Sequence, residues 1–533
     1  MSTVSIRMAL AVLALVPPAS AAPVQGVHRD TRLGFQLRPP RGWEALPLRV
    51  DEAWIVGKYL SDKEDHVVDP HTGWTYDHRP ELRILAFLDP EPGPEEDEGD
   101  DGEEGEDERR GPKVYRDYKT YMRDNYTQGY FIEEEEVDED AGVPVTRLLI
   151  KAEGKRYVVE KKVVAWVWET DIGDIAVQVE VTADSYKKMR STIESTLRSF
   201  KRIEREESAP EEGVADSPEV DLEALTPAER RQYRIDQQQA LWERMTADLP
   251  KDWSAKEIDG IPVINHVDDR FAKKVVEQMH AVRGWLEETF PEVGPSEYAC
   301  PPIVHICKDR DEESAFRRGS GSWGVSGNRL VTHKGDRATS WEWEYISSQT
   351  MSCWFRARDP ELWLALPTWL RQGLYEVIGA SRAKGSKLEF DLGWLEQYRR
   401  NYLPRSDEEG PSIRGLMSMS NKEYYSASSR TEARSQLAAL TRFFIEARSR
   451  KTRQILSDYL GNLKAVLTEL EDEEPEGADD AATEEEEEQL LEKRKKWFET
   501  RERKILDTTF ERTFAGWSDA QWRSLQREFR RSL

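Results

Sequence analysis

The sequence predicts an α+β protein in which an antiparallel-sheet domain is followed by a mostly helical one. Three observations carry this reading. Between residues 28 and 203, short β-rich runs follow one another through tight turns and end in one amphipathic helix. From residue 226 onward, apolar residues recur mainly at steps of three and four. Between these regions, residues 204–225 are rich in Glu, Ser, Pro and Ala and read as a linker.

The first domain opens with Gly34-Phe35-Gln36-Leu37, a strand leading into the proline-glycine turn Pro39-Pro40-Arg41-Gly42-Trp43. Residues 54–60 and 82–88 are further β-rich runs. Tyr115, Tyr118, Met122 and Tyr126 then recur at the spacing of one helix face. Strand candidates follow at 145–150, 157–168 and 175–181, the last two joined by Asp171-Ile172-Gly173-Asp174. Tyr186, Met189, Ile193, Leu197 and Phe200 form the stripe of a closing helix, with Asp184 or Ser185 placed to cap it. This order, with the Pro40-Arg41-Gly42-Trp43 turn, resembles the PsbP-like fold over residues 28–203. The resemblance implies a meandering antiparallel sheet with the last helix packed across it. It also implies binding or assembly rather than catalysis, and no residue in this region suggests a reaction.

In the second domain, 226–533, Thr226 caps a polar helix that has Pro227 in its first position and runs to about Leu249. A strand at 261–267 precedes a long helix whose apolar face is Phe271, Val275, Met279, Val282 and Leu286. Residues 302–306 read as a buried strand, and a glycine-rich turn at 319–327 leads to an edge strand at 330–333. Leu437, Leu440, Phe443 and Phe444 share one helix, and Ile455, Tyr459 and Leu463 continue the packing. Residues 493–505 read as an exposed charged helix. Ser518-Asp519-Ala520-Gln521 is a capping-box pattern before Trp522, Leu525 and Phe529.

Composition narrows the function. The chain has 533 residues, enough for about two to four domains, and a net charge of −26. That charge disfavours nucleic acid, whose phosphates need clustered Lys and Arg. Residues 1–21 read as a secretory signal: Arg7 precedes a short apolar core, and Ala19-Ser20-Ala21 fits the cleavage rule. No run reaches the roughly 18 apolar residues of a membrane span, so no membrane insertion is expected and the protein reads as exported, periplasmic or extracellular. Cys300 and Cys307 flank an extended run and stand too far apart for a disulfide, while Cys353 sits in an apolar helix. The eighteen tryptophans suit either large cores or an aromatic-lined groove.

Several patterns invite a chemical reading and fail it. The acidic stretch 91–108 cannot bury a core and reads as a solvated loop; its Asp97–Gly102 part lacks calcium-loop spacing. A second acidic run, 472–488, has the same character at its start. The 319–327 turn is neither a phosphate loop nor a nucleophile elbow. His280 and His305 read as structural. No Cys/His cluster has zinc-site spacing, so no metal and no cofactor are expected.

The most informative stretch is 346–352, followed by Pro367-Thr368-Trp369-Leu370-Arg371-Gln372-Gly373. Ser348 and Ser352 stand four residues apart, Gln349 follows the first serine, and Gln372 comes twenty residues after Ser352. The layout resembles gluzincin-type metallopeptidases, in which H-E-x-x-H on one helix and a glutamate in P-x-W-L-x-E-G on another hold zinc. Under that resemblance Ser348, Ser352 and Gln372 occupy the ligand positions and Gln349 that of the general base. A second register, over Trp343-Glu344-Tyr345-Ile346-Ser347, keeps a glutamate but has no histidine and a longer gap. Hydroxyls and amides are weak toward Zn²⁺, and an amide does not titrate usefully. His333 and Glu376 do not make a convincing replacement set. The polar positions read either as an ordinary polar-lined helix pair or as a former active cleft. The expectation is a non-catalytic protein binding a peptide or protein at Ser348, Gln349, Ser352, Trp369, Gln372 and Glu376. A divergent hydrolase and a structural envelope protein are the alternatives.

Overall fold

In a computed structural model of the chain, the described residues run from Gly26 to Ser532, apart from 50–53, 69–74, 89–114, 127–128, 141, 153–159, 207–224, 248, 295–300, 318–328, 336–339, 392, 394–411, 428 and 470–483. The expected signal segment, the 91–108 acidic loop, most of the linker, Cys300, the glycine-rich turn and the start of the second acidic run lie outside the described residues. The chain is α+β, as the sequence predicts, and divides into two compact units. The first takes the residues up to Ser254 together with a short segment from Asp311; the second takes the remainder of the described C-terminal half.

The first unit contains β1 (His28–Asp30), β2 (Phe35–Leu37), β3 (Glu44–Ala45), β4 (Ile55–Leu60), β5 (Asp65–Val68), β6 (Thr75–His78), β7 (Glu81–Leu88), α1 (Tyr118–Asn125), β8 (Tyr130–Asp140), β9 (Val143–Ala152), β10 (Lys161–Thr170), β11 (Gly173–Thr182), α2 (Ala183–Leu197), β12 (Lys201–Arg202) and α3 (Pro227–Thr246). Seven strands pair in the order β3-β4-β7-β11-β10-β9-β8, all antiparallel. Strand alternation gives this sheet two apolar faces. Val164, Trp166 and Trp168 of β10 point to one face, where they meet Phe35, Ile193, Leu197 and Phe200. Val163, Ala165 and Val167 point to the other, under Tyr118, Tyr121 and Met122 of α1. Full burial of such side chains contributes about 1.5–3 kcal/mol each.

Two expectations are corrected here. The cap of α2 is Thr182, whose hydroxyl accepts from the Ser185 N–H, and not Asp184 or Ser185. Thr182 ends β11, so one residue closes the strand and starts the helix. Phe200 belongs to the packed stripe but lies beyond the helix, stacked on Trp168 with 4.0 Å between ring centroids. By contrast, Thr226 and Glu229 form the full reciprocal cap at the start of α3, with Pro227 in the first turn.

The second unit begins with β13 (Ser254–Ile258) and β14 (Ile261–Asn265), joined by Asp259 and Gly260 at φ of 47° and 77°. Then come α4 (Asp269–Thr289), β15 (Ile303–Cys307), β16 (Arg329–His333), α6 (Ser340–Arg358), α7 (Pro360–Ala365), α8 (Thr368–Gly379), β17 (Ser381–Lys384) and β18 (Lys387–Phe390), while α5 (Arg310–Arg317), between β15 and β16 in the chain, falls in the first unit's segment from Asp311. Among the described residues, six further helices follow: α9 (Ile413–Met417), α10 (Asn421–Ser426), α11 (Arg430–Glu446), α12 (Arg450–Glu469), α13 (Glu484–Thr513) and α14 (Asp519–Ser532). The sheet order is β13-β14-β15-β16, with β14, β15 and β16 parallel. Phe271, Val275 and Met279 of α4 pack on it with Val263, Val304 and Ile306. A larger core joins Met351 and Phe355 of α6, Trp369 and Leu374 of α8, Leu437 and Phe444 of α11, and Tyr459 and Leu463 of α12. The 493–505 helix is longer and less exposed than its charge predicts: α13 buries Ile505 and Leu506 near its C-terminal end.

Candidate functional site

The candidate positions lie on α6 and α8, and the chain itself explains where these helices begin and end. No glycine or proline interrupts residues 340–358. Pro360 then forces a restart, and the Asp359 carboxylate caps α7 by accepting from the Leu362 N–H at 2.8 Å. Pro367 precedes α8 and holds a φ of −60°.

Helices α6 and α8 run antiparallel. Ser352 Oγ lies 3.1 Å from Tyr375 Oη, and a Cβ built on Gly379 would fall 2.6 Å from Glu344 Cγ. Glu344, Ser348 and Ser352 follow one another at four-residue steps, so they share a face of α6. Gln372, Tyr375, Glu376 and Gly379 share a face of α8 by the same spacing. The register sets Glu376 near the Ser348–Ser352 turn and Gln372 beyond its Ser352 end. Ser352 donates to the Ser348 carbonyl at 3.0 Å. Both serines are buried, whereas Gln349 and Gln372 are half-buried and make no hydrogen bond to another described residue.

Ser347 points elsewhere. It accepts from Gln278 Nε2 at 2.8 Å, and Gln278 Oε1 in turn accepts from the Ala383 N–H at 2.7 Å. This buried polar knot ties α4, α6 and β17 together. The four-residue pair on the α8 side is therefore Ser348 and Ser352.

Trp369 does not line the space between these faces. It is fully buried, with ring centroids 5.6 Å from Phe444 and 5.7 Å from Tyr459. Its carbonyl accepts from Thr441 Oγ1 at 3.0 Å. Gly373 has a steric role: a Cβ there would lie 2.5 Å from the Leu437 carbonyl oxygen and closer still to Thr441 Oγ1. The glycine lets α8 and α11 approach closely.

Glu376 is held by Arg434 of α11, whose Nε and Nη2 donate to the same carboxylate oxygen at 2.7 and 2.5 Å. Glu344 stands 3.8 Å from the same guanidinium. Burial pushes the Glu376 carboxyl above its ordinary range; Arg434 opposes the shift and Glu344 adds to it. His333 lies 3.9 Å from Glu342, in the first turn of α6. Among the described residues, no group of three or more His, Cys, Asp or Glu side chains is placed to hold a metal ion. The arrangement offers hydroxyl and amide hydrogen bonding beside a paired carboxylate.

Sequence reasoning missed Tyr375, Gln278 and Arg434. Tyr375 was findable, three residues after Gln372 on one helical face. Gln278 interrupts an apolar helix and signals a buried polar partner only in retrospect. Arg434 is 58 residues from Glu376, and nothing local announces the pair.

The first unit holds a second polar cluster, beneath α1. Arg83 donates to Glu81 at 2.6 Å and to Tyr121 Oη at 2.9 Å, and Lys161 pairs with Glu180. Tyr118 donates to Gln178, whose amide donates to Tyr126 Oη, both at 2.9 Å. Burial drives the Tyr118 and Tyr126 hydroxyls well above their ordinary pKa, so they remain protonated donors. These groups satisfy one another and fasten α1 to the sheet.

No protein family and no curated protein matches the chain. Solved structures do resemble it. The solution structure of a cyanobacterial PsbP (CyanoP) from Synechocystis sp. PCC 6803 is 13% identical, covers 34% of this chain and 94% of its own, and has a TM-score of 0.24. LpqN, involved in cell envelope biogenesis of Mycobacterium tuberculosis, is 11% identical over 31% of this chain and 82% of its own, with a TM-score of 0.20. PA94 from Pseudomonas aeruginosa is 10% identical over 29% and 95%, with a TM-score of 0.16. At these scores no functional conclusion passes from those proteins to this one. The gluzincin-type reading rests on the motif segments alone.

Proposed function

We propose that this is an exported, non-catalytic protein whose α6–α8 face binds a peptide or a segment of another protein. The observation supporting the reading is chemical. Under the motif resemblance Ser348, Ser352, Gln349 and Gln372 stand at the positions that a gluzincin-type site fills with zinc ligands and a base; α6 and α8 meet through Ser352 and Tyr375, and the carboxylate of Glu376 is occupied by Arg434. Neutral hydroxyls and amides bind Zn²⁺ poorly but suit the N–H and C=O groups of an extended chain. The two half-buried amides have hydrogen-bonding capacity that no described residue uses.

Metal analysis of the purified mature chain, with and without chelator, tests the non-catalytic half. Substoichiometric zinc and no chelator-sensitive proteolysis are expected; one zinc per chain would overturn the reading. The binding half is tested by screening a peptide library against the native chain and a Gln349→Ala/Gln372→Ala variant. Capture that falls about tenfold in the variant, one hydrogen-bonded contact's worth of roughly 1.4 kcal/mol, is expected. Equal capture by both would remove the α6–α8 face from the proposal.

A further inference from the structure

We propose that the outer edge of β8 is a docking strand for an extended lysine- or arginine-rich segment of a partner protein, which joins the seven-stranded sheet by adding one antiparallel or parallel strand. The starting observation is an unpaired edge. β8 ends the strand order, pairs with β9 on one side, and has no described strand on the other. Its outward backbone N–H and C=O groups are therefore available to another chain.

Natural sheets usually blunt such edges by keeping them short, placing proline in them or bulging them away. β8 uses only part of this repertoire. It is 11 residues long and contains no proline. A register shift between Ile132 and Glu134 disturbs its first turn of pairing, but Glu134 to Asp140 then pairs residue by residue with Leu149 to Val143. This leaves residues 134–140 as a run of edge in unbroken register. Val137 on this run is 71% exposed, and Phe131, before the register shift, is 66% exposed.

Charge selects the occupant. Glu133, Glu134, Glu135, Glu136, Asp138, Glu139 and Asp140 make the strand acidic along nearly its whole length. Lys162, Lys119 and Arg147 offset Glu133, Glu135, Glu136 and Asp138 from within the unit, at 2.6, 3.6, 3.9 and 2.9 Å respectively. Glu134, Glu139 and Asp140 have no ion pair with a described residue. Two copies brought edge to edge would set carboxylates opposite carboxylates, which penalises self-pairing. A cationic strand meets the opposite situation. Alternation puts Glu134, Glu136, Asp138 and Asp140 on one face and Glu135, Val137 and Glu139 on the other. The matching partner carries basic residues on both faces and an apolar one beside Val137.

The test titrates the full mature chain with the synthetic peptide Lys-Arg-Lys-Val-Lys-Arg-Lys and with the same peptide N-methylated at alternate residues, at low ionic strength. Binding of the first peptide is expected, with new hydrogen-exchange protection confined to the 134–140 amides. N-methylation removes backbone donors and should weaken binding about tenfold or more. A Glu134→Lys/Glu139→Lys variant, altering two side chains that support no described ion pair, should also lose about tenfold, and added salt should weaken the native complex. Equal binding of the methylated peptide would reduce the contact to loose electrostatics and overturn strand addition. Absence of binding, or protection elsewhere, would overturn it as well. Protection of the 134–140 amides that rises with protein concentration alone would assign the edge to a second copy, against the proposal.

Discussion

Two glycines separate the two ways in which this residue is used. Gly373 sits inside α8 with ordinary helical geometry, and its lack of a side chain is what the α8–α11 contact requires. Gly373→Ala should destabilise the second unit by about 1–3 kcal/mol, the usual cost of overpacking, and a lowered urea midpoint at unchanged slope would show it. An unchanged midpoint would mean that the two helices can part without penalty. The motif position was legible in the sequence as part of Pro367–Gly373, but its reason was not. The obstacle is Thr441 and the Leu437 carbonyl, far along the chain. Trp369 shows the same limit. The expectation set Trp369 in the cleft although tryptophans suit large cores, and only Phe444 and Tyr459 around it place it in the core.

At the scale of elements, the β13–β14 hairpin is a local signal that sequence reasoning passed over. Asp259-Gly260 between two short runs is a strong turn dipeptide, and both residues take positive φ as a mirror-image two-residue turn demands. Nothing lies near a Cβ built on Gly260, so Gly260→Ala tests conformation alone. It should cost about 1–2 kcal/mol through the left-handed backbone, read as a lower thermal midpoint of the second unit. β4, β7, β9, β10 and β11 were all legible as short β-rich apolar runs, because a sheet covered on both faces imprints an almost continuous apolar character on its inner strands. β8 was not, since an edge strand exposed on both faces keeps no such imprint. The α2 cap was misplaced because Thr182 serves strand and helix together, a dual role that propensity alone does not separate.

At the scale of the whole molecule, two compact units with separate apolar cores imply separate cooperative transitions. Calorimetry of the mature chain should give a van't Hoff enthalpy well below the calorimetric one, resolving into at least two components. One two-state transition with equal enthalpies would contradict this. The net charge of −26 points the same way for both candidate surfaces: long-range attraction favours cationic partners, and salt should weaken their approach. Among the described residues no helix is long and apolar enough to cross a membrane.

By itself, the sequence determined the α+β class, most helices, the buried strands and the absence of histidine from the 346–352 segment. Each of these is a local property, written in the period of apolar residues or in the identity of a single side chain. Tertiary structure decided what those side chains meet. It paired Glu376 with Arg434, turned Ser347 toward Gln278 and Ser352 toward Tyr375, buried Trp369, and set no described strand against the outer edge of β8. Those outcomes depend on residues brought together from distant parts of the chain by packing of the cores, and no window of sequence contains both partners.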